Sequence, residues 1–274
     1  MALKTFSKVF ESIKPVIGMI HVPALPGTPK SKLNPNAIIS SCISEALKLT
    51  EGGVDGILIE NMHDVPYLKR KVGPEIVGLL SIMAHEVKRK SLLPCGIQIL
   101  AGANKDAMAV AHSGGLDFIR SEGFVFGQLA DEGYMDADAG ELLRFRKSIG
   151  AEDILIFTDI KKKHSSHTIT ADISLIETAQ AAEYFLSDGL IITGKLTGSA
   201  ADPKELEDLK KEVSIPVLIG SGISETNLET YFQHGDGFIV GSSIKYDGNW
   251  ENDIDPERLR KLVQKAKTLR SKMS

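Results

Sequence analysis

The stretch "PVLIGSGISETNLETYFQHGDGFIVGSS", residues 216–243, holds the pattern that decides the fold. A short apolar run (216–222) ends in glycine and serine, a segment of helical spacing follows (224–232), and a second apolar run (237–243) ends the same way. Strands this continuously apolar are buried on both faces, which parallel sheets require and antiparallel sheets rarely do. The same alternation extends back through the chain in "PVIGMIHV" (15–22), "DGILIENM" (55–62), "CGIQIL" (95–100), "DFIRSEGF" (117–124), "DILIFTDI" (153–160) and "DGLIITG" (188–194), which brings the apolar runs to eight. Helical spacing predicts helices over 37–53, 74–90, 104–113, 138–150, 172–187, 203–212, 224–232 and 256–270. Asp202-Pro203 and Asp255-Pro256 read as N-cap and first-turn pairs, where proline's missing N–H costs nothing. Eight β/α units in one series predict an α/β fold, a single (β/α)8 TIM barrel spanning 1–274, in preference to an open doubly wound sheet.

Composition narrows the function classes. Hydrophobic residues at 42% and charged residues at 25% describe a globular chain with ample core. Thirty-two Lys and Arg against thirty-six Asp and Glu leave no basic excess for a nucleic-acid backbone, and basic runs such as "KKK" at 161–163 are short. No apolar run approaches the ~20 residues of a membrane span. Cys42 and Cys95 are too few for a disulfide framework and suit a reducing, cytoplasmic compartment. The start, "MALKTFSKVFESIK", places Leu3, Phe6, Phe10 and Ile13 near helical spacing. A mitochondrial targeting helix is one reading. The lack of arginine, the presence of Glu11 and a strand beginning directly after Pro15 favour a short helix covering the bottom of the barrel.

Barrel chemistry is built where the strands run out, so the residues at which each apolar run turns polar are the candidates. In order they are His21, Glu60 with Asn61, Gln98, Arg120 with Glu122, Asp159 with Lys161, Thr193 with Lys195, Ser221, and Ser242 with Ser243. The loops after strands seven and eight commonly hold phosphate in such barrels. Gly222, Gly241, Ser242 and Ser243 are the predicted phosphate-binding residues, offering bare backbone N–H groups and helix N-termini. His21, Glu60, Glu122, Asp159 and Lys161 are the predicted catalytic set, with Asp159 and Lys161 expected on one face because they lie two apart on a strand. Glu60, Glu122 and Asp159 fit two readings, oxygen ligands to a divalent cation or proton-transfer groups tuned by burial. His164 and His167 are spaced for a metal, but a polar loop without cysteine support is the simpler reading. A Schiff-base role for Lys195 and a glycosidase carboxylate pair are weaker alternatives.

"GMIHVPALPGTPK" (18–30) puts His21 before three prolines at intervals of three. That spacing fits a polyproline II ligand, but the prolines follow a core strand without a spacer, which predicts a stiff loop holding His21 beside the pocket. The blocks "GMIHVPALPGTP", "GVDGILIENMHDVPY", "DIKKKHSSH", "TGKLTG", "PVLIGSGISETN" and "VGSSIKYDGNW" together make the chain, from about residue 15 to 265, resemble the BtpA family with its SgcQ-type members. The resemblance implies a barrel of the kind that binds phosphorylated ligands. It also associates the family with photosystem I accumulation in cyanobacteria, while tying no reaction and no catalytic residue to the fold. Two functions follow as expectations: an enzyme acting on a small phosphorylated metabolite by lyase, isomerase or hydrolase chemistry, or a non-catalytic assembly factor. A homo-oligomer is compatible with the sequence and not demanded by it.

Overall fold

The computed structural model describes residues 5–162, 165–194 and 202–273. Eight parallel strands close into a barrel: β1 (Val16–His21), β2 (Gly56–Glu60), β3 (Cys95–Gln98), β4 (Phe118–Ser121), β5 (Leu155–Ile160), β6 (Gly189–Ile192), β7 (Val217–Ile219) and β8 (Gly237–Val240). β1 closes the ring by pairing with both neighbours, Ile17 to Gly56 and His21 to Glu60 on one side, Val16 to Phe238 on the other. The main intervening helices, such as Pro35–Gly52, Pro74–Ser91 and Asn104–Gly114, fall where the spacing predicts them.

Side-chain alternation sorts each strand into two layers. Ile20, Ile57, Ile59, Ile97 and Ile119 point outward and pack beneath the helices. Ile17, Met19, Leu58, Phe118, Phe157, Ile191 and Ile239 fill the barrel interior. Here glycines make room for rings: a Cβ on Gly96 would sit 2.2 Å from the Phe118 ring, and one on Gly189 would sit 2.8 Å from Phe157. The Phe118 and Phe157 rings lie 5.3 Å apart, and from the bottom Phe10 meets Phe118 at 5.7 Å while Phe6 meets Phe157 at 5.9 Å. Among the described residues the covering helix is Phe6–Val9, and Phe6 together with Phe10 just after it plugs the lower end.

One fastening recurs four times at that end. Asp55, Asp117, Asp188 and Asp236 each stand just before an even-numbered strand and accept from the backbone N–H of the preceding odd strand, at Val16, Cys95, Ile156 and Val217 (2.8–3.0 Å). Each also pairs with a cation from a helix: Arg270, Lys88, Arg146 and Lys210 in turn.

At the opposite end the structure adds a feature the periodicity does not predict. After β4, Gln128–Ala130 and Gly133–Met135 form an antiparallel hairpin, and Ser165–Ser166 from the loop after β5 pairs with its first strand. With three residues or fewer per strand, this small sheet is too short for alternation to register.

Candidate functional site

The inward alternation that puts Met19, Leu58, Phe118 and Phe157 in the core puts His21, Glu60, Arg120 and Asp159 one step higher, at the carboxyl ends of the same strands. They line a cavity of about 600 Å³ together with Gln98, Glu122, Lys162 and the bare ends of β7 and β8. His21, Glu60, Gln98, Arg120, Glu122 and Asp159 are buried, Gln98 at 2% exposed, Glu122 at 5% and Asp159 at 7%, while Lys162 is half-buried.

Buried charges must be paired, and two pairs span the floor. Arg120 Nε and Nη2 donate to the two carboxylate oxygens of Asp159 at 2.7 and 2.8 Å, a bidentate fork between β4 and β5. Burial works against the Arg120 charge, but Asp159, with Glu60 and Glu122 beyond it, outweighs burial and holds the guanidinium above its ordinary value. Lys162 Nζ lies 2.8 Å from Glu122 Oε2, and Gln98 Nε2 donates to the other oxygen at 2.9 Å. Lys162 is likewise desolvated, yet Glu122, Asp159 and Glu132 raise its pKa.

Glu122 stands on a braced platform. Asn104 donates to the Glu122 carbonyl and accepts from its N–H. Arg70, from the loop after β2, donates to the carbonyl oxygens of Gly102, Glu122, Gly123 and Asp136 and pairs with Asp138 at 2.9 Å. The proline loop is fixed in the same way. Asp64 accepts from Leu25 N–H, Thr28 Oγ1 and Asn61 Nδ2, while Val22 and Leu25 are fully buried. It is therefore a pinned loop and not an exposed polyproline ligand, and it meets the cavity only through His21 at its start, the prolines themselves lying outside the lining. His21 Nδ1 donates to the Trp250 carbonyl at 2.9 Å. A carbonyl only accepts, so the neutral ring carries its proton on Nδ1 and leaves Nε2 as the basic nitrogen.

Most of the predicted residues come together and some do not. His21, Glu60, Glu122, Asp159, Gly222, Gly241, Ser242 and Ser243 all line the cavity. Lys161 does not: β5 ends at Ile160, Lys161 takes φ +49°, and its Nζ donates to the carbonyls of Thr170 and Ile173. Alternation holds only while the strand lasts, so Lys162 enters the cavity in its place. The expected helix N-termini at the phosphate loops are also displaced. Asn227 bonds Ser224 N–H and the Gly222 carbonyl, so the helix after β7 is only Leu228–Phe232. After β8 a 3-10 turn, Ser242–Ile244, precedes a long run to the helix Pro256–Ser271. What these loops offer is backbone and hydroxyl: Gly222 at φ +73°, Gly220 and Gly241 without side chains, and a buried Ser243 Oγ with no hydrogen-bond partner among the described residues. The β8 loop is anchored from behind by fully buried Lys245, whose Nζ reaches Glu45 Oε1 at 2.5 Å.

Among the described residues no three His, Cys, Asp or Glu side chains are grouped to hold a metal ion. Glu122 and Asp159, expected with Glu60 as oxygen ligands, are each turned toward a cation. His167 Nε2 bonds the Lys162 carbonyl within its own loop, while His164 and Lys195 lie outside the described residues. Sequence reasoning noted Gln98 and Arg120 as strand ends but gave them no role, though their inward parity was available as a signal. Asp131 and Glu132, carried to the cavity by the hairpin, had none beyond the turn at Gly133.

The BtpA family model matches residues 12–268. The chain belongs to the BtpA family. A protein of Caenorhabditis elegans described as uncharacterized and mitochondrial is 48% identical over 270 residues, 96% of this chain and 97% of that one. The photosystem I biogenesis protein BtpA of Synechocystis is 35% identical over 272 residues, 97% of this chain and 93% of that one. Among solved structures, the (S)-3-O-geranylgeranylglyceryl phosphate synthase of Thermoplasma acidophilum, in complex with its substrate sn-glycerol-1-phosphate, superposes with a TM-score of 0.59 at 16% identity, covering 97% of this chain and all of that one. Thiamine phosphate pyrophosphorylase from Pyrococcus furiosus gives 0.58 at 14% identity, covering 94% and 96%. At such identities these structures speak for the BtpA chain's fold alone. No helix of the described residues is long and apolar enough to cross a membrane.

Proposed function

We propose that this BtpA-family barrel is an enzyme acting on a small phosphorylated metabolite. The observation that carries the reading is the cavity at the carboxyl ends of the strands, where buried proton-transfer groups face two glycine- and serine-ended loops across the barrel. The phosphate is received by the backbone of 220–222 and 241–243, with Ser243 Oγ donating. His21, held through Nδ1, presents Nε2 as the acid or base. Arg120 and Lys162, fixed by Asp159 and Glu122, supply positive potential to charge developing on the substrate. Barrel neighbours that bind phosphorylated substrates support the reading. A non-catalytic assembly role, suggested by the name of the Synechocystis relative, calls for a shallow upper face, and the 600 Å³ cavity speaks for the enzyme instead. The name of the C. elegans relative supports a mitochondrial over a cytoplasmic site of action, which fractionation of tagged full-length protein tests.

Thermal denaturation with inorganic phosphate and a panel of phosphomonoesters tests the function. A ligand at 100 times its Kd stabilises by about 2.7 kcal/mol, and 31P NMR of the stabilising compounds then reports turnover. Stabilisation lost in Gly241→Ala, whose methyl would lie 3.2 Å from His21 Nε2, is the expected result. No shift with any phosphorylated compound overturns the reading in favour of the assembly role.

A further inference from the structure

The long run after β8, "KYDGNWENDI" (245–254), is built as a closed excursion. Its two ends are fastened together: Lys245 pairs with Ile254 in an antiparallel bridge, Tyr246 N–H donates to the Asp253 carbonyl, and Asp255 N–H donates to that of Ile244. Buried Lys245, held by Glu45, ties this base to the helix Pro35–Gly52. Within the loop Asn249 Oδ1 accepts from Glu251 N–H and Asn252 Nδ2 donates to the Tyr246 carbonyl, so the turn satisfies its backbone from its own asparagines. One carbonyl is used differently. That of Trp250, near the tip, accepts from His21 Nδ1 at the end of β1.

The Trp250 ring lies between two histidines from other elements. Its centroid is 4.8 Å from that of His63, at a tilt of 44°, and 6.0 Å from that of His21, edge-on at 74°. Both spacings fall in the range where rings attract one another. His63 follows β2 and stands between Asn61 and Asp64, whose side chains bond each other and hold the proline loop, so this partner is itself fixed. Trp250 is half-buried and lies outside the cavity lining, whereas His21 is part of it. A carbonyl at the tip of a surface loop keeps its place only if the tip is held, and the His63–Trp250 stack is the hold.

We propose that Trp250 is a positioning residue for His21: gripped by His63, it keeps its carbonyl on Nδ1 and so fixes both the tautomer and the direction of the imidazole. Nε2 is thereby presented at the loop after β8, where a Cβ on Gly241 would lie 3.2 Å from it. The inference rests on the acid or base role given to His21 above and names the side chain behind it that sets its geometry.

Long-range 1H–15N correlation spectra of full-length protein labelled at the histidine nitrogens test this at alkaline pH without any ligand, His21 being identified among the seven histidines by its loss in His21→Gln. The expected wild-type pattern is a neutral ring protonated at Nδ1. Losing a hydrogen bond of ordinary net strength moves a tautomer ratio about fivefold, so Trp250→Ala should shift His21 by that much toward Nε2–H. Trp250→Phe, which keeps a ring against His63, should retain the wild-type pattern. A folded Trp250→Ala protein with the His21 pattern unchanged overturns the inference, as does a wild-type ring protonated at Nε2. If Trp250→Ala does not fold, His63→Ala decides: a shift in the same direction supports the inference and an unchanged pattern overturns it. No phosphorylated compound enters the measurement, so failure of the phosphate reading, seen as the absence of any thermal shift, is a separate result.

Discussion

Replacing Asp159 by Asn isolates the contribution of the buried fork. The Asp159 side chain is 1% exposed and that of Arg120 8%, and two short hydrogen bonds join them. Removing one partner of such a pair strands the other charge, which costs about 3–5 kcal/mol. Asn keeps one oxygen acceptor, and Glu60 and Glu122 still act on the guanidinium, so the lower end, about 3 kcal/mol, is expected. For a chain of this size that corresponds to a fall in Tm of roughly 6–12 °C. Urea unfolding of the wild type, Asp159→Asn, and the double variant Arg120→Met/Asp159→Leu reads the effect. The double variant should recover most of the loss, because an apolar pair of similar volume needs no desolvation. A cost under about 1 kcal/mol for Asp159→Asn, or a double variant as unstable as the single, would refute the view that these charges are dehydrated and mutually dependent.

Three further outcomes are expected. Gly96→Ala drives a methyl into the Phe118 ring and should cost about 1–3 kcal/mol in denaturant unfolding, with Phe118→Leu relieving part of it. Asp138, pushed up to about 6 chiefly by burial, binds its proton more tightly folded than unfolded. Its contribution to stability is therefore full below about pH 4 and is lost as pH rises through 6, so the wild type should lose about 3 kcal/mol relative to Asp138→Asn across that window. A flat difference between the two proteins from pH 4 to 7 would count against it. His21→Ala should lower turnover of any substrate found in the phosphomonoester panel by about 10²-fold or more, read as kcat/KM.

The barrel was legible because its signal is redundant. Eight apolar runs and the helices between them carry the same message, so misplacing one boundary, as at 224–232, left the topology intact. The site was legible to the extent that it follows from alternation: His21, Glu60 and Asp159 continue the inward rows of their strands, and Glu122 continues that of β4. It failed where the strand stopped. Nothing local in "DIKKKH" announces the left-handed turn at Lys161 that exchanges it for Lys162. The cross-strand partners were hidden for a related reason. Arg120 meets Asp159 across 39 residues, and Lys162 meets Glu122 across 40, contacts that only the pairing of β4 with β5 creates.

The four aspartates at the lower end have a consequence for how the ring is divided. Lys88, Arg146 and Lys210 come from the helix directly before the odd strand that their aspartate clasps, so each module reads helix, strand, helix, strand in one unbroken piece. The first module is the exception: Asp55 and Val16 borrow Arg270 from the helix Pro256–Ser271 at the other end of the chain. The natural seam of the barrel therefore lies before that helix, not at the chain's own ends. A circular permutant opened in the 249–254 loop makes all four quarters contiguous, and each then closes its clasp over a short chain separation.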